Sequence, residues 1–201
     1  MDKDWFCHAT LLLTFSLLLG CAARSAKPRA SLGPGICAPL AAPETGGTST
    51  VARQHFEYEK QGKLFRFQAV AELEADRTAL VGLTPVGSRA FSVVFQNGAL
   101  AFEKLPFYPM PLRPRALLAY YQLMFWPLAS LEAHLEGEGI RVVETMDPVH
   151  QRRFFHRDRE LIRIRYEHHD PWRGKAECWQ LMQDFRLTVD TKFREPLDDS
   201  G

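Results

Sequence analysis

Few residues of this chain stand in a pattern that could do chemistry. His168, His169 and Asp170 form the only local cluster of metal-ligand side chains. Neighbouring residues of a strand point to opposite faces, so two adjacent histidines do not readily share one ion, and the cluster reads as a solvated strand end. Glu72 and Glu74 stand two apart, where one strand face would bring them together as an acid and base pair. The alternation around them marks that face as exposed. Ser88, Ser92 and Ser130 lack the Gly-x-Ser-x-Gly context that strains a nucleophile into a reactive turn. The basic run Gln151-Arg152-Arg153, with His156, Arg157 and Arg159, could meet lipid head groups or an acidic partner, or could form a charged hairpin that discourages edge pairing. The four cysteines, Cys7, Cys21, Cys37 and Cys178, contain no Cys-x-x-Cys pair and no zinc spacing. The expectation is a protein without catalytic residues, metal site or cofactor.

A chain of 201 residues, 46% hydrophobic and 24% charged, suits one globular domain with a sizeable core. Lys and Arg number 25 against 24 Asp and Glu, a balance that gives no overall field to draw the chain onto nucleic acid or an anionic membrane surface. Nucleic acid is therefore not an expected partner.

Residues 9–19 form an uncharged apolar run of signal-peptide length, short of the ~20 residues a spanning helix needs. Leu18-Leu19-Gly20-Cys21 follows and resembles the lipobox of bacterial lipoproteins. That resemblance implies cleavage before Cys21 and acylation of its thiol, which would hold the chain on the bacterial membrane. Ala22 in place of Asp after the cysteine resembles an outer-membrane destination, in the cell envelope. The alternative is an ordinary secretory signal, or an apolar N-terminal helix, with Cys21 a plain thiol. Residues 1–20 are thus expected as a signal peptide and 21–50 as the lipidated cysteine and a flexible tether rich in Ala, Pro and Gly. Residues 51–195 are expected as the folded domain and 196–201 as a polar tail. Cys37 and Cys178 remain as thiols; an oxidising envelope would let them pair, whereas Cys178, in an expected strand, also suits a small buried apolar role.

The elements that would position any site are legible from period. Phe65, Phe67, Ala69, Ala71 and Leu73 alternate with polar residues, as in a strand with one wet face. Residues 78–83 run continuously apolar, residues 91–95 alternate again, and Asn97-Gly98 supplies a hairpin turn into 99–105. Four strands joined by short turns must be antiparallel. After a proline-rich stretch, Leu117, Tyr121, Met124, Phe125, Leu128, Leu131 and Leu135 recur at helical steps. Pro127 removes an amide donor and divides this stretch into helices over 115–125 and 127–136. Alternation resumes over 140–146, 151–155, 162–166, 176–185 and 185–189, for a total of about nine strands. Such a sheet tends to curl, and the mid-chain helices suit its concave side. The fold class expected is α+β, a curled antiparallel half-barrel with a helical lid. An apolar site could lie between sheet and lid, lined by the helix face from Leu117 to Leu131, with Phe125-Trp126, Trp172 and Trp179. The same aromatics could equally fill a core.

Several blocks carry a family resemblance. Residues 80–91 (Leu-Val-Gly-Leu-Thr-Pro-Val-Gly-Ser-Arg-Ala-Phe), 121–128 (Tyr-Gln-Leu-Met-Phe-Trp-Pro-Leu), Arg165-Tyr166 with Asp170-Pro171-Trp172, and Phe185 before Arg186-Leu187-Thr188-Val189 resemble an uncharacterised family of bacterial lipoproteins. That family is often encoded beside aryl polyene lipid biosynthesis genes, and its fold is thought similar to the LolA and LolB lipoprotein carriers. The resemblance spans about residues 60–193 and implies a half-barrel that handles acyl chains of lipids or lipoproteins in the envelope, with a periplasmic carrier protein as a conceivable partner. It implies no catalytic residues. The competing reading is an envelope scaffold that binds other proteins through a sheet edge or the basic hairpin at Arg152 and Arg153.

Overall fold

The computed structural model describes residues 28–43 and 48–197. The signal segment and Cys21 lie outside the described residues. Twelve strands, two α-helices and a single 3-10 turn (Glu136–Glu138) are formed among those described. A hairpin comes first, β1 (Arg29–Gly33) and β2 (Ile36–Pro39). A meander of five strands follows: β3 (Thr50–Lys60), β4 (Lys63–Leu73), β5 (Arg77–Leu83), β6 (Arg89–Gln96) and β7 (Ala99–Lys104). The helices α1 (Pro114–Phe125) and α2 (Leu128–Leu135) lead into a second meander. Its strands are β8 (Ile140–Thr145), β9 (Gln151–His156), β10 (Arg159–Tyr166), β11 (Gly174–Gln180) and β12 (Phe185–Pro196).

The ten strands after the hairpin make one antiparallel sheet, in the order β7-β6-β5-β4-β3-β12-β11-β10-β9-β8. Within each meander every pairing is between chain neighbours; the single long-range pairing joins β3 to β12, two of the three longest strands, in the middle of the sheet. β7 and β8 are the two edges, so the sheet curls without closing. The chain must pass from one edge to the other between the meanders, and the route across the concave face is what α1 and α2 occupy. α1 is buried on every side from Leu117 to Phe125, because the sheet holds one face and the β1–β2 hairpin covers the other. Pro127 separates the helices, as its missing amide requires.

Two parts of this architecture differ from the sequence reading. The expected tether contains a folded hairpin: Ala30, Leu32, Ile36, Ala38 and Leu40 join the core. Their period of two is genuine, but short side chains and the Gly33-Pro34-Gly35 turn give the segment a spacer's composition. The second difference is β3, which the apolar pattern does not announce because Gln54 occupies an inward position between Ala52 and Phe56. Its amide donates to Thr191 Oγ1 (2.9 Å) and its carbonyl accepts the Tyr121 hydroxyl (3.0 Å), so the polar group is buried satisfied.

Candidate functional site: an aromatic seam between two cavities

α1 ends in a set of buried hydrogen bonds. A helix leaves its last carbonyls without intrahelical partners, and here Arg152 donates to Leu123 O and Trp126 O (both 2.9 Å) while the Tyr166 hydroxyl donates to Met124 O (2.7 Å). Arg152 also binds Glu144 Oε1 (2.8 Å), and His150 Nε2 lies 2.9 Å from the same oxygen. Burial pushes the Glu144 carboxyl up, but His150 and Arg152 outweigh it and hold the group below the ordinary carboxylate range. On the opposite side Gln122 binds both the amide and the carbonyl of Ala41 (3.0 and 2.8 Å), and the Trp126 indole donates to Ala42 O (2.9 Å). Arg152, assigned from sequence to a surface hairpin, is in fact interior, and its charge is spent on Glu144 and the end of α1. His150 and Gln122 carry no local signal; only their long-range partners give them a role.

A chain of ring contacts runs along the concave face beside α1. Phe65 meets Tyr108 (6.1 Å between centroids) and Phe67 (5.9 Å). Phe67 meets Phe91 (5.3 Å) and stacks on Phe56 (4.8 Å), which in turn meets Tyr121 (6.3 Å). Tyr121 contacts Phe125 (4.8 Å), and Phe125 contacts Trp172 (4.4 Å). Gly82 makes room for this seam, since a Cβ there would lie 2.0 Å from the Phe91 ring.

Each end of the seam opens into a cavity. At the helix break a cavity of about 170 Å³ is lined by Phe125, Trp126, Pro127, Trp172, Leu73 and Arg194. The Arg194 guanidinium sits 4.7 Å over the Trp172 ring. The other cavity, of about 290 Å³, has a structural cause. β5 stops pairing with β4 at the Leu83 and Gln68 pair, while β4 extends back to Lys63, which leaves a slot in the sheet. Phe56, Phe67 and Tyr108 form its floor, Thr84 and Pro85 one wall, and Arg66, paired to Glu57 at 2.7 Å, its rim.

The expected lining residues separate accordingly. Tyr121, Phe125, Trp126 and Trp172 come together at the seam and the helix-break cavity. Leu117, Met124 and Leu131 are buried core that borders neither cavity, and Leu128 is half-buried at the start of α2. Trp179 does not join them: it is half-buried on the convex face, across from Arg163 and Arg186, while Cys178 and Gln180 beside it point inward. Cys178 is a buried thiol and Cys37 an exposed one, and they are not bridged. Burial pushes the Cys178 thiol up. Glu72 and Glu74 both bind Arg77, which occupies them structurally. No cluster of three metal-ligating side chains occurs among the described residues. Neither does any helix among them reach the length and apolarity needed to cross a membrane.

Residues 51–192 match the family described as "Protein of unknown function (DUF3261)". The chain belongs to this family. No curated protein matches this DUF3261 member in sequence. Among solved structures it is similar to a LolA superfamily protein from Nitrosomonas europaea, with 9% identity, a TM-score of 0.46, and 76% of this chain and 87% of that one covered. A putative outer membrane lipoprotein-sorting protein domain from Vibrio parahaemolyticus is similar at 9% identity and a TM-score of 0.36, covering 79% and 89%. MucB in the Pseudomonas aeruginosa MucA/MucB complex is similar at 12% identity and a TM-score of 0.36, covering 75% of this chain and 52% of that one.

Proposed function

We propose that this DUF3261 member is a non-catalytic envelope lipoprotein, anchored through an acylated Cys21, whose half-barrel receives an acyl chain and helps its owner reach the outer membrane. The cargo is an aryl polyene-type lipid or a lipoprotein. One observation carries the reading: two cavities with aromatic walls, one at the β4 edge and one at the helix break, are joined by an unbroken line of aromatic rings, with an arginine at each outer end. Ligand cavities are commonly about 300–1,000 Å³, so the slot at the β4 edge suits a resting state in which parted rings make the remaining room. A flexible apolar chain would gain ~0.8 kcal/mol per buried methylene along such a path, without covalent chemistry. Of the scaffold reading, the basic-hairpin route loses support because Arg152 is interior and Arg153 is bound to Glu160 (2.6 Å), while the edge strands β7 and β8 keep the sheet-edge route open.

The test is native and denaturing mass spectrometry of the full chain purified gently from membranes. The expected result is a covalent lipid on Cys21 and a second, noncovalent lipid in the wild type. Tyr108→Asp, which puts a carboxylate at the half-buried floor of the slot, is expected to lose the noncovalent lipid while the protein stays folded, with a lower Tm from the lost ring contacts. A wild-type protein that is folded and free of lipid sinks the carrier reading, and an unmodified Cys21 sinks the anchor.

A further inference from the structure

The surface around the β4 slot differs from the rest of the molecule. Nine large hydrophobic side chains are exposed among the described residues, and five of them, Leu64, Val86, Leu105, Phe107 and Leu181, lie where β3, β5, β7 and β11 finish, at one end of the sheet. Val86 is 86% exposed and Phe107 is 99% exposed. Each is bonded directly to a residue of the slot, Pro85 and Tyr108. Phe107 holds this position at φ 64°, a left-handed conformation that bulky side chains avoid. An aromatic ring kept wholly in water at such a backbone angle gains nothing for the isolated fold.

Charge follows the same end. Lys63, Lys104, Arg113 and Arg115 are exposed there and make no ion pair among the described residues. The chain as a whole carries a formal charge of only +1, so this is a local concentration of cations around an apolar tip. Apolar side chains at the tip with a cationic collar behind them match the two layers of a membrane surface, the acyl boundary and the anionic head groups.

We propose that this end of the half-barrel docks on an anionic lipid bilayer, with Val86 and Phe107 inserted into the acyl boundary and Lys63, Lys104, Arg113 and Arg115 against the head groups. The proposal extends the acyl-carrier reading, on which its use rests, by giving the side through which cargo passes. With the tip inserted, the slot opens onto lipid, so a chain can enter between β4 and the 84–88 turn without crossing water.

The full chain, with Cys7, Cys21 and Cys37 replaced by Ser so that neither an acyl anchor nor a second reactive thiol contributes, is labelled with an environment-sensitive fluorophore at Val86→Cys or, at the opposite end of the sheet, at Met146→Cys. Vesicles of phosphatidylcholine with phosphatidylglycerol are added. The label at 86 is expected to brighten several-fold and lose its quenching by aqueous iodide, the label at 146 to stay as in solution, and the response at 86 to shrink in pure phosphatidylcholine or high salt. Phe107→Asn, which suits the left-handed angle, is expected to cut the response at 86 several-fold while Tm holds or rises. Unchanged iodide quenching at 86, or equal brightening at both positions, overturns the proposal. Shielding of 86 that requires a co-purifying protein overturns it in favour of a protein-docking face. Bound lipid is read separately by mass, so a protein that docks without cargo, or holds cargo without docking, tells the two readings apart.

Discussion

The two ends of the half-barrel solve opposite problems. At the helix break a set of buried polar groups is tied across the fold: Arg152 to α1 and Glu144, Tyr166 to Met124, Gln122 and Trp126 to the segment after the hairpin. At the slot the walls are aromatic contacts and turns, and the surrounding side chains project into solvent. Hydrogen bonds to buried partners are directional and costly to break, whereas ring contacts can slide and re-form. One end is built to stay closed and the other can part. On the proposed carrier reading, the difference would give the concave face a direction, with entry at the slot and a fixed stop at Trp172.

Breaking the closed end should have the largest effect. Arg152→Ala leaves half-buried Glu144 and two buried helix carbonyls without their cation, and should cost about 3–5 kcal/mol in urea unfolding. Arg153→Ala, at a partly exposed pair, should cost under about 1 kcal/mol. Similar losses for the two would remove the distinction between interior and surface cation. Gly82→Ala drives a methyl into the Phe91 ring and should cost about 1–3 kcal/mol. Because Phe91 touches Phe67 and Tyr108, the same change should also reduce bound lipid, measured by native mass spectrometry.

Acid should loosen the closed end next. The Glu144 carboxyl is held below its ordinary value of 4.5 in the fold, so its stabilisation is complete above that pH and is lost as pH falls through the lower folded value. Glu144→Gln should therefore flatten the fall in stability below pH 4.5, measured by thermal unfolding across pH. Glu160 behaves alike but farther down: Arg163, against the opposing effect of burial and with Arg153 assisting, pulls it to about 2. The smallest effect concerns Tyr120, whose hydroxyl is buried without a hydrogen-bond partner among the described residues. Tyr120→Phe should leave Tm unchanged or raise it slightly, and a clear loss would mean the hydroxyl has a partner in solution.

Much of the sheet was legible because each hairpin repeats a local rule. Alternation over residues 65–73 set the face of β4, Asn97 and Gly98 both take the positive φ that their turn type demands, and Pro127 divides the helices where its missing amide says it must. The site was harder to see. Gln54, Gln122, His150 and Arg152 look like surface residues in any short window, and only partners between 6 and 137 residues away make them interior. Trp179 failed for the opposite reason: an aromatic in an alternating strand is fixed to a face by its register, and register places Cys178, not Trp179, toward the helices. The slot depends on where β5 leaves β4, a pairing fact that composition does not carry.

The central claim is that an acyl chain runs along the aromatic seam from the slot. Photo-crosslinking the full chain with a fatty acid carrying a diazirine near its methyl end, followed by peptide mapping, tests it most directly. The account predicts adducts on peptides containing Phe56, Phe67, Phe91 and Tyr108, suppressed by excess unlabelled fatty acid and weakened by Gly82→Ala. Adducts confined to the convex face around Trp179, or none that excess fatty acid suppresses, would contradict it.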